Sequence, residues 1–455
     1  MELGFETIGN ATLICHDRTP ILVTDPWLVG SAYFGSWKLS HEIPQKQMDA
    51  IKSCEYVWIS HGHPDHMSGE SLEMLKGKKF LLPNHAGNRI AAGMRKAGLN
   101  VTILQDRVWT ALSPWIHILC IADYNQDAVL LVDMDGTLLV DVNDASNRGW
   151  FNFVKGVIGQ YKNSFLLKLF GYGDSDLINY VDESGARITP TAAKKFPVGQ
   201  SIASVAEAYG VTHVIPFSSM HRYQRADSVW ANHYATPLEA YGIGFSARGC
   251  ELLPAFIRYD CRKKSFTEIK PKKNQDFIMD SKTFGDDWSE PLERDDSRKL
   301  DAYFRSISHL EKKFDLLNFR VGGKDNRIEL SKRNLQKGIT FEAPRHSLMQ
   351  AIEFEIFDDL LIGNFVKARL EGNWPATTLH PDFTPYVAKY ADNGRAKSPD
   401  ELRMYFREYQ KRAPLDYLRH RIPYRLSQTV RPYFKSNTLL YQFARGTWRK
   451  VQRWT

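Results

Sequence analysis

Cysteine is scarce and scattered. The 455 residues hold five, Cys15, Cys54, Cys120, Cys250 and Cys261, and no two form a C-x-x-C pair. This spacing excludes a disulfide framework, a zinc finger and a cysteine-held iron–sulfur cluster, and it fits reduced thiols in a cytoplasm. Long apolar runs are lacking too. None reaches the roughly 18 residues that a spanning helix needs. The opening residues, Met1-Glu2-Leu3-Gly4-Phe5-Glu6, have neither a basic stretch nor an apolar one, so no secretory signal is expected. Internal repeats and low-complexity runs are absent. What remains is an ordinary globular composition, 43% hydrophobic and 25% charged, with length for two or three domains. The net charge of +8 is unevenly placed. Residues 411–455 hold eleven Lys and Arg against one acidic residue, Asp416. The rest of the chain is nearly neutral, so the basic character belongs to the tail.

One stretch is dense in chemistry: Ile59-Ser60-His61-Gly62-His63-Pro64-Asp65-His66. The run before it, Cys54 to Ser60, reads as a short buried strand. The run after it begins a helix, with Ser68 as the cap and Glu70 in the first turn. The cluster therefore sits at the C-terminal end of a strand, where α/β proteins place their sites. His61 and His63 are two apart, so in extended backbone their rings project to one side and can share a metal. Asp65 and His66 follow at the turn and can face a second. Imidazole and carboxylate are the donors of zinc, iron and manganese sites. H-x-H-x-D-H between strand and helix resembles the metal-binding signature of the metallo-β-lactamase superfamily.

The remaining pattern suits that comparison. Short strands are expected at 2–7, 11–16 and 20–24, then at 80–83, 115–122, 128–133, 137–144 and 212–217, with helices at 87–96 and 201–209. Residues 150–198 lack a clean period and read as a substrate-facing insertion. Beyond about 265 the pattern turns helical at 297–315, 347–370 and 400–413. The expected fold is α/β: a four-layer αββα metallo-β-lactamase sandwich over 1–265, with a mainly helical C-terminal region over 266–455. That region ends in a tail alternating basic residues with aromatics, such as Arg431-Pro432-Tyr433 and Trp448-Arg449-Lys450.

The resemblance implies roles for further residues. Asp25, at the end of the third strand, would orient a ligand histidine from behind. His85, after the 80–83 strand, would do the same or lie at the surface. The superfamily's hydrolases complete the first metal site with a histidine after the 115–122 strand. Here that place offers Asp123, with Asp127 behind it. Asp144 would bridge two metals, with Asp141 in reserve. His221 would be the last ligand, with His233 its competitor. The implied ligand set is His61, His63, Asp65, His66, Asp123, Asp144 and His221, with Asp65 also catalytic. Arg222 and Arg225 beside His221 read as a grip for phosphate or carboxylate, or as solvated residues. Gly30 to Trp37 reads equally as a pocket wall, with Trp37 a substrate contact, or as a packed loop.

Four stretches resemble CMP-N-acetylneuraminic acid hydroxylase more narrowly: Thr24 to Trp37, Ser60 to Leu75, Leu138 to Asp144, and Phe357-Asp358-Asp359-Leu360-Leu361-Ile362-Gly363. The resemblance implies oxygen-dependent hydroxylation of a nucleotide-activated sugar. That family carries a Rieske domain before the β-lactamase-like part. No C-x-H…C-x-x-H pair occurs in this sequence, so a Rieske centre is not expected here and electrons would come from a separate protein. The expected function is a dinuclear iron oxygenase acting on an anionic small molecule. The alternatives are a zinc or manganese hydrolase of a phosphoester, lactone or amide, and a binding protein that contacts an anionic surface or partner through its basic tail.

Overall fold

The computed structural model describes residues 2–123, 126–172, 177–194 and 197–430. The basic aromatic run from Arg431 onward lies outside them.

Two sheets face each other. The first runs in the order Ser265–Glu268, Ile257–Asp260, Leu3–Ile8, Thr12–Asp17, Thr19–Thr24, Tyr56–Trp58, Lys79–Leu82, Asn100–Ile103. The second runs Glu251–Leu252, His213–Pro216, Asn163–Lys168, Thr137–Asn143, Ala128–Met134, Ile116–Ala122, Thr110–Ala111. The central strands are apolar on both faces, as sheets covered on both sides require. Leu22 and Trp58 point between the sheets, while Val23 and Val57 point to the outer helices. Leu139 points inward in the second sheet, and Leu138 and Val140 point outward. Phe5 meets Phe165 edge to face at 5.1 Å across the gap. Helices Gln45–Ser53 and Arg89–Lys96 cover the first sheet, and Phe151–Ile158 and Val198–Tyr209 the second. The result is the expected four-layer αββα sandwich. Helix Val198–Tyr209 stops at Gly210, whose φ of 74° suits a residue without a Cβ.

Each sheet is antiparallel on one side and parallel on the other. In the parallel halves, Thr24 pairs with Trp58 and Leu167 with Ile215. Loops leaving these strands at their C-terminal ends gather at one edge of the sandwich. The site lies there.

The C-terminal region is helical, with Arg294–Arg305, Arg345–Glu353, Phe357–Ile362, Pro399–Arg412 and Pro414–Val430. It also contains a five-stranded sheet in the order Asn179–Tyr180, Lys367–Gly372, Lys337–Glu342, Leu316–Val321, Lys324–Glu329. The helical spacing read over 347–370 ends before Lys367, and that over 297–315 ends at Arg305. Phe304, Phe319, Phe341, Phe357 and Phe383 form the centre of its core. Within 150–198, Asn163–Lys168 is an interior strand of the second sheet, and Asn179–Tyr180 pairs with Lys367–Ala368. That segment therefore links the two cores.

Candidate metal centre

Asp25 is the pivot. Its φ is 40° and that of Asn143 is 45°, conformations that non-glycine residues hold only when the surroundings enforce them. Neither residue is measurably exposed beyond 1%. Asp25 Oδ1 accepts from the Ser60 backbone N–H at 2.7 Å, and Oδ2 from Ser60 Oγ at 2.6 Å. Asn143 Nδ2 donates to Oδ2 at 2.9 Å, and His66 Nδ1 lies 3.1 Å from the same oxygen. Ser60 Oγ is in turn 2.8 Å from His61 Nδ1. This network assigns the Nδ1 proton of both imidazoles toward the Asp25 side. Both Nε2 atoms are then left to face the site, as in a carboxylate–histidine–metal arrangement.

Two groups of donors converge at the loop. His61, His66 and Asp144 offer ligand atoms all within 4.8 Å of one another, and so do His63, Asp358 and Asp359. The groups adjoin, since His61 Nε2 is 2.9 Å from His63 Nδ1. His66 Nε2 lies 3.2 Å from Asp65 Oδ2 and 3.4 Å from Asp144 Oδ2. Burial opposes charge on His66, yet Asp65 and Asp144 hold its imidazole well above the ordinary value, so a proton on Nε2 faces them, and a metal cation can take that proton's place. The donor set therefore fits a metal ion.

The electrostatics are those of a crowded, dry cluster. Burial pushes the His61 imidazolium down to about 3. Burial also opposes charge on His63, yet Asp358, Asp359 and Asp65 hold it up to about 9. Burial works to raise Asp65, but His66 and Tyr33 bring it well below the usual carboxylate range. Asp141 is fully buried behind the loop and raised well above that range by desolvation and Asp25.

The sequence-expected residues separate here. His61, His63, His66 and Asp144 fall in the two groups, and Asp25 stands behind them. Asp65 borders the centre, with Asn10 Nδ2 on Oδ2 at 2.9 Å and Tyr33 Oη on Oδ1 at 2.6 Å. Asp123 falls in neither group. It lines a separate small cavity of about 30 Å³ with Arg107, Tyr409 and Asp416. His85 is buried near Asp127 and Arg89, and burial drives it down to about 3. It does not touch the histidines it was expected to orient. His221 is in neither group; its strand, His221–Tyr223, pairs with Trp37–Leu39. Its ring is stacked on Trp37 at 3.4 Å. Trp37 is buried by that stacking and does not line the site cleft. Arg222 faces outward onto Asp276 at 3.2 Å. Arg225 is fully buried between Asp227 and Asp286, each 2.8 Å away. Neither arginine lines the cleft over the centre.

Sequence reading gave no role to Asn10, Ser218, Asp358 or Asp359, and held Tyr33 only within the Gly30 to Trp37 stretch. Ser218 Oγ donates to Asp144 Oδ1 at 3.1 Å, so the loop after His213–Pro216 reaches the site through Ser218. Asp358 and Asp359 lay inside a stretch already singled out by resemblance, and that was the available signal.

A cleft of about 550 Å³ opens over the centre. His61, His63, Tyr180, Asp358 and Asp359 line it. Arg148, His380, Lys389 and Tyr390 also line it.

No family model matches the chain. Among curated proteins it is 29% identical over 154 residues to the cytidine monophosphate-N-acetylneuraminic acid hydroxylase of Danio rerio, covering 32% of this chain and 26% of that protein. The Asterias rubens hydroxylase is 28% identical over 159 residues, covering 32% and 24%. The chain resembles these hydroxylases. The match spans about a quarter of their length, and a human relative, 25% identical over 134 residues, is named inactive. Among solved structures, a metallo hydrolase of Ignicoccus hospitalis is 13% identical with a TM-score of 0.34, covering 59% of this chain and 99% of that one. A diiron beta-hydroxylase of Streptomyces venezuelae is 14% identical with a TM-score of 0.33, covering 48% and 45%. No helix among the described residues is long and apolar enough to cross a membrane.

Proposed function

We propose that the chain is a metal-dependent oxygenase that hydroxylates an anionic small molecule, with electrons from a separate donor protein. The carrying observation is the set His61, His66 and Asp144, two imidazoles and one carboxylate within 4.8 Å, the donor combination of non-haem iron oxygenases. Iron held there would supply the oxygen and redox chemistry of the reaction. The protein's own groups do the rest. Asp25 and Ser60 hold the His61 and His66 rings in one tautomer and one orientation. Tyr33 and Asn10 fix the Asp65 carboxylate beside His66. Lys389 and Arg148 supply the positive charge of the cleft, and Tyr390 and Tyr180 supply apolar walls for a ring. The resemblance to the hydroxylases above favours a nucleotide-activated sugar acid as the substrate class.

A second reading, hydrolysis with zinc or manganese, rests on Asp65. An ionised carboxylate locked between Asn10 and Tyr33 is placed to orient a water nucleophile at the centre.

The test is purification without oxygen, followed by metal analysis and exposure to substrate, oxygen and a reductant. Bound iron, an oxygen-dependent spectral change and a product heavier by one oxygen atom support the oxygenase. Zinc with a silent spectrum, and turnover of an ester without oxygen, replaces it with the hydrolase.

A further inference from the structure

Asp358 and Asp359 belong to the C-terminal core, yet their carboxylates end beside His63 of the sandwich. Helix Phe357–Ile362 holds them there. Phe357 and Leu360 are fully buried in the C-terminal core, so the helix cannot roll. At its end Ser36 Oγ donates to the Gly363 carbonyl at 2.6 Å, and Asn364 Nδ2 donates to Tyr223 Oη at 2.7 Å. On the other side the Gly62 Cα lies against the Tyr390 ring, where a Cβ would come within 2.2 Å. The two parts of the chain are thus fastened around this point.

Acidic donors crowd here, with the Lys389 ammonium close to Asp359. Two adjacent carboxylates, each 8% exposed, face one imidazole, with Asp358 Oδ2 at 3.5 Å from His63 Nε2. Asp358 Oδ1 is buried and has no hydrogen-bond partner. A buried carboxylate oxygen without a donor is costly, and a divalent cation removes that cost. The donor atoms of His63, Asp358 and Asp359 lie within 4.8 Å of one another, close enough to share one ion.

We propose that His63, Asp358 and Asp359 hold a second divalent metal ion beside the one at His61, His66 and Asp144. The metal centre is then assembled jointly by the sandwich and the C-terminal region. Two carboxylates to one imidazole favour a hard cation, iron(II) or manganese(II), over zinc. This inference rests on the metal-dependent reading above and adds the C-terminal pair to it.

Metal-stripped full-length chain is titrated with manganese(II), and bound metal per chain is counted by elemental analysis and by electron paramagnetic resonance. Wild type takes up two ions with a spin-coupled signal. Asp358→Asn/Asp359→Asn takes up one, with the signal of an isolated ion. His63→Gln, which changes a half-buried loop side chain, gives the same one-ion result if the double variant does not fold. Two ions in either folded variant overturn the inference and leave the first site standing. A single ion in wild type overturns it as well. No ion in wild type refutes the metal-dependent reading itself.

Discussion

At the scale of single residues, Asp25 and Arg225 illustrate opposite uses of a buried charge. Asp25 accepts from Ser60 N–H, Ser60 Oγ and Asn143 and faces His66 Nδ1, so it sets two imidazoles at once. Asp25→Ala is expected to lower metal affinity about 10–100-fold, the usual effect of losing such a partner. Competitive chelator titration measures it. Arg225 binds Asp286 and Asp227, and Asp286 is also fully buried and accepts from Ser347 N–H and Oγ. Arg225→Ala leaves that carboxylate without its cation. The expected cost is about 3–5 kcal/mol in denaturant unfolding, with metal content per folded chain unchanged. An equal loss of metal would return Arg225 to the site. From sequence the two residues were separable only in part. An aspartate at a strand end is legible because strand ends are. An arginine next to a strand reads the same whether it meets a ligand or a buried carboxylate 61 positions later.

At the scale of elements, the sandwich was legible because its central strands are apolar on both faces and bounded by turns. Leu3–Ile8, Thr12–Asp17 and Thr19–Thr24 fall within about a residue or two of expectation, and Ser68 caps helix Gly69–Met74 by accepting from Ser71 N–H. The C-terminal strands were not legible. Lys324–Glu329 is an edge strand with five of six residues outside the core, so its sequence shows neither period. Lys337–Glu342 and Lys367–Gly372 pair with each other, and Lys337 turns its ammonium to Asp382 at 2.5 Å, with Lys313 at 3.1 Å from the same carboxylate. Burial opposes charge on Asp382, but the two lysines bring it below its ordinary value. A depressed carboxylate stabilises the fold above its unfolded value, near 4, and that contribution fades as pH falls through the lower folded value. Asp382→Asn is therefore expected to melt below wild type at pH 7, with the gap closing toward pH 2. A gap independent of pH would show packing, not charge, at this position.

At the scale of the whole molecule, the C-terminal region is the wall of the cleft. Arg89 meets Asp392 at 2.5 Å, Arg107 meets Asp416 at 2.6 Å, and Tyr409 Oη accepts from Ala86 N–H at 2.9 Å. These contacts join segments some 300 residues apart, a separation that no local pattern encodes. The same separation hid the site's second half: His63 was conspicuous within its motif, whereas Asp358 and Asp359 acquire meaning only once the chain is folded. A metal held by both parts should stabilise them together. Chelation is expected to lower the melting temperature, and re-addition of the metal to restore it in a concentration-dependent way. An unchanged melting curve would mean that the ion contributes nothing to the assembly.

The most direct measurement is a crystal structure of the protein as isolated, with diffraction recorded on either side of the iron, manganese and zinc absorption edges. The account predicts an anomalous peak among His61, His66 and Asp144 and a second beside His63, Asp358 and Asp359. A well-ordered loop with no anomalous peak after metal soaking, its histidines bonded only to the neighbouring carboxylates, would contradict it.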